Sequence, residues 1–326
     1  FDWKVRKNFA RGRREEKGTQ VIHFREAFHG RTGYTLSLTN TDPTKTNYFP
    51  KFAWPRIENP KVTFPVEKHL DAVIAAEKRA IAAIEKALDD NRDDIAAIII
   101  EPIQGEGGDN HFRGEFLREL RRIADEREVI LVFDEVQTGV GVTGKMWCHE
   151  HFDVRPDILA FGKKAQVCGI MASNRLNEVE SVFKVSSRIN STWGGNLVDM
   201  YRAKRILEII EEERLVDNAA KMGSALLKHL GDLEKRWPAL ISNARGRGLF
   251  CAFDLPDTAC RDALLTTIIK HGLLVLKCGT KTIRFRPPLN VKKEEIDAAA
   301  GIIEAALKEY KGHVCAGDTS GAVHTE

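Results

Sequence analysis

The chain has 326 residues, 43% hydrophobic and 30% charged, the balance of a folded protein with room for one large α/β domain and a smaller second one rather than of a disordered or fibrous chain. Fifty Lys and Arg against 47 Asp and Glu leave a net charge of only +3, too even to point to a nucleic-acid or membrane-surface binder. Six cysteines without a CxxC pair argue against a disulfide framework or zinc knuckle and fit a reducing, cytoplasmic compartment, and the longest apolar run, around Ala96 to Ile100, is far shorter than the ~20 residues of a membrane helix.

The first residues contain no initiator Met, and the spacing of Phe1, Val5 and Phe9 reads as one face of a helix already under way, so the chain is expected to be N-terminally incomplete. Val21 to Phe24 reads as a strand. Segment 40–66, with five prolines, reads as an ordered surface loop. A helix is expected over Leu70 to Leu88, with Ile74, Ile81 and Ile84 on its apolar stripe, and another around Phe116, Leu120, Ile123 and Ala124. Ala96 to Ile100, Val129 to Phe133, Ile158 to Phe161 and Gly169 to Ala172 read as strands, several of them continuous apolar runs of the kind covered on both faces. Strand and helix in alternation imply right-handed crossovers and a mostly parallel sheet. Residues 197–235 read as long helix with a break. From Gly246 the grammar becomes α+β, with strands at 249–254, 273–277 and 282–286 and helices at 258–271 and 293–311. The expected domains are therefore 1–213 and 214–312, followed by a small, polar, flexible tail at 313–326.

In an open α/β sheet a ligand lies beyond the carboxyl ends of the strands. Three such ends carry polar groups here: Glu101-Pro102-Ile103-Gln104-Gly105-Glu106, Asp134-Glu135-Val136-Gln137-Thr138-Gly139 and Gly162-Lys163-Lys164. Asp134 alone could simply cap a turn and Lys163 alone could be solvated. A carboxylate and an amine delivered to one rim, with Glu106 and Gln137 beside them, need partners and argue for a site. Gly139 to Lys145 imitates a phosphate loop, but Met146 stands where a magnesium-binding hydroxyl is needed and no strand leads into the glycines. The same glycines spell G-x-G-x-x-G without the strand-turn-helix that carries a pyrophosphate. His149-Glu150-His151 lacks a third ligand at metal-binding spacing, so no metal is expected and the imidazoles read as solvated.

An amine that can hold an aldehyde, with a carboxylate to keep a pyridine nitrogen protonated, is what pyridoxal phosphate asks of a protein. Asp134 and Lys163 supply both. With Phe28-His29-Gly30-Arg31-Thr32, Ser191-Thr192-Trp193-Gly194-Gly195-Asn196 and Ile283-Arg284-Phe285-Arg286-Pro287-Pro288-Leu289, these segments resemble, in order and spacing over nearly the whole chain, the class III, fold type I aminotransferases. Phe161 to Gly169, with Gln166-Val167-Cys168 after the lysine, and the loop from Asn40 to Arg56 resemble the lysine-specific branch of that family.

The resemblance implies an α/β/α large domain, a smaller C-terminal α+β domain, pyridoxal 5′-phosphate as cofactor and a homodimer. It implies Lys163 as the Schiff-base lysine, Asp134 on the pyridine nitrogen, Gln137 on the phenolic oxygen, and Phe28 and Val136 on the two ring faces. Lys164 is expected to point away, since neighbours on an extended strand face opposite sides. Thr192 would bind the phosphate of the partner subunit's cofactor. Arg31 and Arg284 would clamp substrate carboxylates, Arg286 sharing a strand face with Arg284, and Glu106 would mask Arg284 while an ω-amino substrate is bound and swing away for glutamate or 2-oxoglutarate. The implied reaction passes the ε-amino group of L-lysine to 2-oxoglutarate by double displacement. Ornithine or 4-aminobutyrate as donor, or a catalytically incomplete fragment, are the alternatives.

Overall fold

The computed structural model describes the backbone of residues 1–317 and the side chains of residues 1–310. The chain forms two compact units, Phe1–Gly141 with Lys145–Leu215, and Val142–Gly144 with the chain from Val216 onward.

The first unit runs α1 (Asp2–Ala10), β1 (Gln20–Phe24), α2 (Gly33–Leu38), α3 (Pro43–Thr46), β2 (Arg56–Ile57), α4 (Val66–Asp90), β3 (Ile95–Ile100), β4 (Ile103–Gln104), β5 (Asn110–His111), α5 (Gly114–Glu126), β6 (Ile130–Asp134), β7 (Ile158–Phe161), β8 (Gly169–Ala172) and α6 (Leu197–Glu212). Its six-stranded sheet has the order β2-β1-β3-β6-β7-β8. Every pair is parallel except β7 with β8. The apolar runs become central strands because both faces are covered, as alternate residues show. Ala97, Ile130 and Val132 pack on Trp3 of α1, whereas Phe24 meets Phe116 of α5 edge-on at 5.9 Å.

Two local expectations change and a third is located. In α1 the buried residues are Trp3, Lys4 and Asn8, while Phe1 and Phe9 are 46% and 42% exposed. Hydrogen bonding makes this possible: Trp3 Nε1 donates to Arg175 O (3.1 Å), Lys4 Nζ to Glu128 O (3.0 Å), and Asn8 Nδ2 to Lys17 O (3.0 Å) and Asp93 O (2.8 Å), so burying polar groups here leaves few unmet donors. Burial pushes the Lys4 ammonium down to about 8. The loop read over 40–66 contains α3 and an edge strand, β2, paired in parallel with β1 through His23 opposite Arg56. The expected break in the long helix falls at Arg214, whose φ of 51° is left-handed, between α6 and the helix that begins at Leu215.

The second unit comprises α7 (Leu215–Arg236), β9 (Ser242–Arg247), β10 (Phe250–Asp254), α8 (Thr258–Lys270), β11 (Leu276–Cys278), β12 (Thr282–Phe285) and α9 (Lys293–Gly317) around an antiparallel sheet of order β11-β12-β10-β9. Strand β9 was not expected, because its sequence Ser-Asn-Ala-Arg-Gly-Arg has no apolar alternation. Its Arg245 is instead buried by pairing with Asp254 at 2.8 Å. Strand β11 begins three residues later than expected, leaving Leu274 82% exposed. Gly223 of α7 lies against the backbone of Gly248, which a Cβ would approach to 2.0 Å. Helix α9 continues through 313–317, into the segment read as a tail; residues 318–326 lie outside the described residues.

Candidate active site

Strands β1, β3, β6 and β7 end side by side, with Ile100 opposite Phe133 and Asp134 opposite Ala160. The loops that follow them are knitted together by hydrogen bonds. Beneath the rim lies Glu101, 3% exposed, which accepts from Phe28 N at 3.0 Å and from Gly105 N at 2.9 Å. One carboxylate thus ties the loop after β1 to the loop after β3.

Asp134, its side chain 11% exposed, accepts from Val136 N at 3.1 Å and meets His29 Nδ1 at 2.8 Å. It therefore caps its own turn and holds a buried imidazole as well. His29 Nε2 is buried without a hydrogen-bond partner. Burial pulls the His29 imidazole down, but the hydrogen bond and charge of Asp134, with the charge of Glu101, outweigh it and the net shift is upward. Burial pushes Glu101 up to about 7, His29 opposing and Asp134 adding to the shift.

The folded chain therefore keeps protons on Glu101 and His29 that the unfolded chain has already released. The stability they contribute is complete below the ordinary glutamate value of 4.5, falls as pH rises to about 7 through Glu101, and falls further above 6.5 through His29. In the cofactor-free chain, thermal melting between pH 5 and 8 is expected to fall with rising pH less steeply for Glu101→Gln than for the unaltered protein. Parallel curves would refute this account of Glu101.

Gln137 packs against Gly105, where a Cβ would come within 2.5 Å of its amide. Val136 lies beside Gly162, its Cγ1 3.7 Å from where a Cβ would sit. Lys163 follows immediately and is not on an extended strand: Lys163–Ala165 is a 3-10 turn and Lys163 has φ 47°. A non-glycine residue in that region costs about 1 kcal/mol or more and is held there by its surroundings. The expectation for Lys164 is corrected accordingly. It is directed not by strand alternation but by the turn, and its Nζ donates to Gln137 O at 2.7 Å. Lys163 is exposed, and its Nζ makes no hydrogen bond or ion pair among the described residues.

Glu106 pairs with Lys45 of α3, whose Nζ lies 5.6 Å from the Phe28 ring centroid. Arg31 is exposed beside the Phe28 loop. Thr192 lies in an exposed turn closed by Gly194 N donating to Ser191 O at 3.1 Å, next to Trp193, 79% exposed. Arg284 lies on β12 of the second unit. Arg286 is the first residue past that strand and stacks its guanidinium on Phe250, 3.2 Å from the centroid; Phe250 is two residues from Ala252, the strand partner of Arg284.

His149 is not solvated as expected: its Nδ1 meets Glu135 Oε1 at 3.0 Å, and the fully buried Glu135 also accepts from the backbone N of Cys148 and His149 at 2.6 and 2.9 Å. Sequence reasoning gave no role to His29, Lys45, Glu101 or Glu135. A readable signal existed for Lys45, since Asp42-Pro43 is a helix cap followed by a first-turn proline.

This donor set fits pyridoxal phosphate: an unpaired amine, a carboxylate anchored by a buried histidine, an amide, and the apolar Phe28 and Val136 on neighbouring loops.

The aminotransferase class-III profile matches residues 3–307. The L-lysine-epsilon aminotransferase of Mycobacterium tuberculosis (strain H37Rv) is 52% identical over 308 residues, which cover 94% of this chain and 68% of that protein. Its counterpart from Amycolatopsis lactamdurans is 50% identical over 309 residues, with coverage of 94% and 68%. A solved lysine aminotransferase from M. tuberculosis superimposes with a TM-score of 0.92 at 52% identity, covering 95% of this chain and 71% of that one. A family match over nearly the whole chain, with a rim of carboxylate, amide and amine at adjoining strand ends, leads to one conclusion: this protein belongs to the class III aminotransferases, pyridoxal phosphate enzymes of fold type I.

Proposed function

We propose that the chain transfers the ε-amino group of L-lysine to 2-oxoglutarate, giving 2-aminoadipate 6-semialdehyde and glutamate. The observation that carries the reading is that Asp134, at the end of β6, and the Lys163 turn, just after the adjoining β7, leave neighbouring strand ends. The lysine aminotransferases at 50–52% identity support the donor.

Pyridoxal phosphate, when bound, supplies an aldehyde and a protonated ring that accept the amino group and the electrons released at the substrate carbon. In this reading the residues work as follows. Asp134, steadied by His29, would hold the ring nitrogen's proton. Lys163 would hold the aldehyde carbon of the bound cofactor, and its amine would carry a proton to and from the substrate carbon. Gln137 would hydrogen-bond the phenolic oxygen, while Phe28 and Val136 would pack on the ring and exclude water. Arg31 and Arg284 take substrate carboxylates, with Glu106 shielding Arg284 for the ω-amino donor. Thr192 reaches the phosphate in a second copy of the chain. The exposed apolar side chains around it, Trp193, Leu197, Val198 and Tyr201, each at least 72% exposed, support a homodimer formed on that face. The large cofactor domain is assigned to 1–213, the small domain to 214–312, and the compartment to the cytoplasm. Among the described residues no helix is long and apolar enough to cross a membrane.

Side-by-side turnover of lysine, ornithine and 4-aminobutyrate with 2-oxoglutarate tests the donor. Ornithine is one methylene shorter, so kcat/KM for lysine is expected to exceed that for ornithine by roughly 10–200-fold. A preference for ornithine or 4-aminobutyrate would sink the lysine assignment.

A further inference from the structure

The two substrates present different charges to one pocket. Lysine brings no carboxylate near its reacting amine, whereas 2-oxoglutarate brings one directly beside the reacting carbon. If Glu106 masks an arginine for the first substrate, its charge must be drawn aside and neutralised for the second, because two carboxylates competing for one guanidinium repel each other.

The structure offers a place for that charge. Asn40 pins the chain after α2 to the end of β1: its Oδ1 accepts from Glu26 N at 2.6 Å, its Nδ2 donates to Phe24 O at 3.0 Å, and its own N–H donates to Ala27 O at 2.9 Å. Asp42 then caps α3, accepting from Thr44 N at 2.9 Å and Thr44 Oγ1 at 2.8 Å, and Asn47 N closes the turn on Pro43 O at 2.8 Å. Lys45 therefore projects from a short turn anchored at both ends. Its ammonium pairs with Glu106 Oε1 and lies over the Phe28 ring; the two charged side chains are only 28% and 25% exposed. A pair so sheltered is screened less by salt than one on the open surface.

We propose that Lys45 is a specificity-determining residue: it is the counter-ion that receives the Glu106 carboxylate when a dicarboxylate substrate occupies the site. This rests on the reading of Glu106 as a movable mask and deepens it, since it names where the mask goes. Lys45 acts through Glu106, so it is a positioning residue whose loss affects one half-reaction and spares the other.

The test uses the cofactor-loaded enzyme, with the dissociation constant of glutarate, an unreactive dicarboxylate, measured by calorimetry and the two half-reactions followed separately by cofactor absorbance. Lys45→Met is expected to weaken glutarate, and to raise the apparent constant for 2-oxoglutarate, by roughly five- to tenfold, while the lysine half-reaction changes less than about twofold. Lys45→Arg should restore both dicarboxylate constants. In a Glu106→Gln background Lys45→Met should have no further effect.

Two results overturn the proposal while leaving the mask intact. In one, Glu106→Gln alters the balance between lysine and 2-oxoglutarate but Lys45→Met matches the unaltered enzyme. In the other, Lys45→Met weakens dicarboxylates equally with and without Glu106, which would mean direct attraction of the substrate. If Glu106→Gln shifts neither half-reaction relative to the other, the reading of Glu106 fails and the proposal with it.

Discussion

Lys163→Ala is expected to lower kcat by about 10²–10⁴-fold, the range for loss of a positioned proton carrier, with the fold intact. Lys163 sits in an exposed left-handed turn, and its amine makes no hydrogen bond or ion pair among the described residues, so truncation removes no packing and leaves no buried partner unmet. Stability should stay within ~0.5 kcal/mol, as for surface positions generally. Relief of the left-handed strain is not expected either, because alanine is disfavoured there too. Borohydride reduction of the cofactor-loaded protein should place a pyridoxyl group on the peptide containing Lys163 and on none in the alanine variant. Recovery of the group on Lys164 would reverse the assignment of the two lysines. Added methylamine gives a second readout: a small amine that partly restores turnover in Lys163→Ala would mark the missing group as a base, whereas no rescue with a large stability loss would mark it as structural.

The largest effect on stability is expected in the second unit, from Asp254→Ala. The Arg245 and Asp254 side chains are 2% and 8% exposed and 2.8 Å apart. Asp254 also accepts from Thr282 Oγ1 at 2.7 Å and Asn243 Nδ2 at 2.9 Å. Alanine would strip three donors of their acceptor and leave a guanidinium buried without its counter-charge. Breaking such a pair from one side costs about 3–5 kcal/mol. For a unit of this size the melting temperature should fall by roughly 10–20 °C. Asp254→Asn keeps a carbonyl acceptor for one donor and should lose less. Denaturant unfolding of both variants checks the order; an alanine variant within ~1 kcal/mol of the unaltered protein would show that water reaches Arg245.

Both residues bear on what could be read from the sequence. The central strands were legible because doubly covered strands must be continuous apolar runs, as in Ile-Ala-Ala-Ile-Ile-Ile of β3. Strand β9 was illegible because its inward-facing residue is Arg245, buried through a partner that sequence places nine positions away. The same reason hid the buried face of α1: Lys4 and Asn8 go inside on the strength of backbone carbonyls from distant segments, and no hydrophobic periodicity records that.

In the candidate site, Asp134, Gln137 and Lys163 stood out because polar residues follow directly on apolar strands. His29 and Lys45 did not, although each contacts one of the named site residues, and Glu101, which follows β3 in the same way, was given no role of its own. Their roles arise only when loops from different strands converge, and for Glu101 from two backbone N–H groups, which have no sequence signature at all. Lys163 and Lys164 mark the opposite failure. Strand alternation, a local rule, does not reach Lys163 and Lys164, which lie two and three residues past the end of β7, where a left-handed turn takes over.

The central claim is that the nitrogen leaving lysine is the ε-nitrogen and that 2-oxoglutarate receives it. Incubating the cofactor-loaded protein with 2-oxoglutarate and lysine carrying 15N at the ε position, and following the glutamate formed by mass spectrometry, tests this most directly. The account predicts 15N-labelled glutamate from ε-labelled lysine and unlabelled glutamate from α-labelled lysine. Label arriving from the α position, or no labelled glutamate from either, would contradict it.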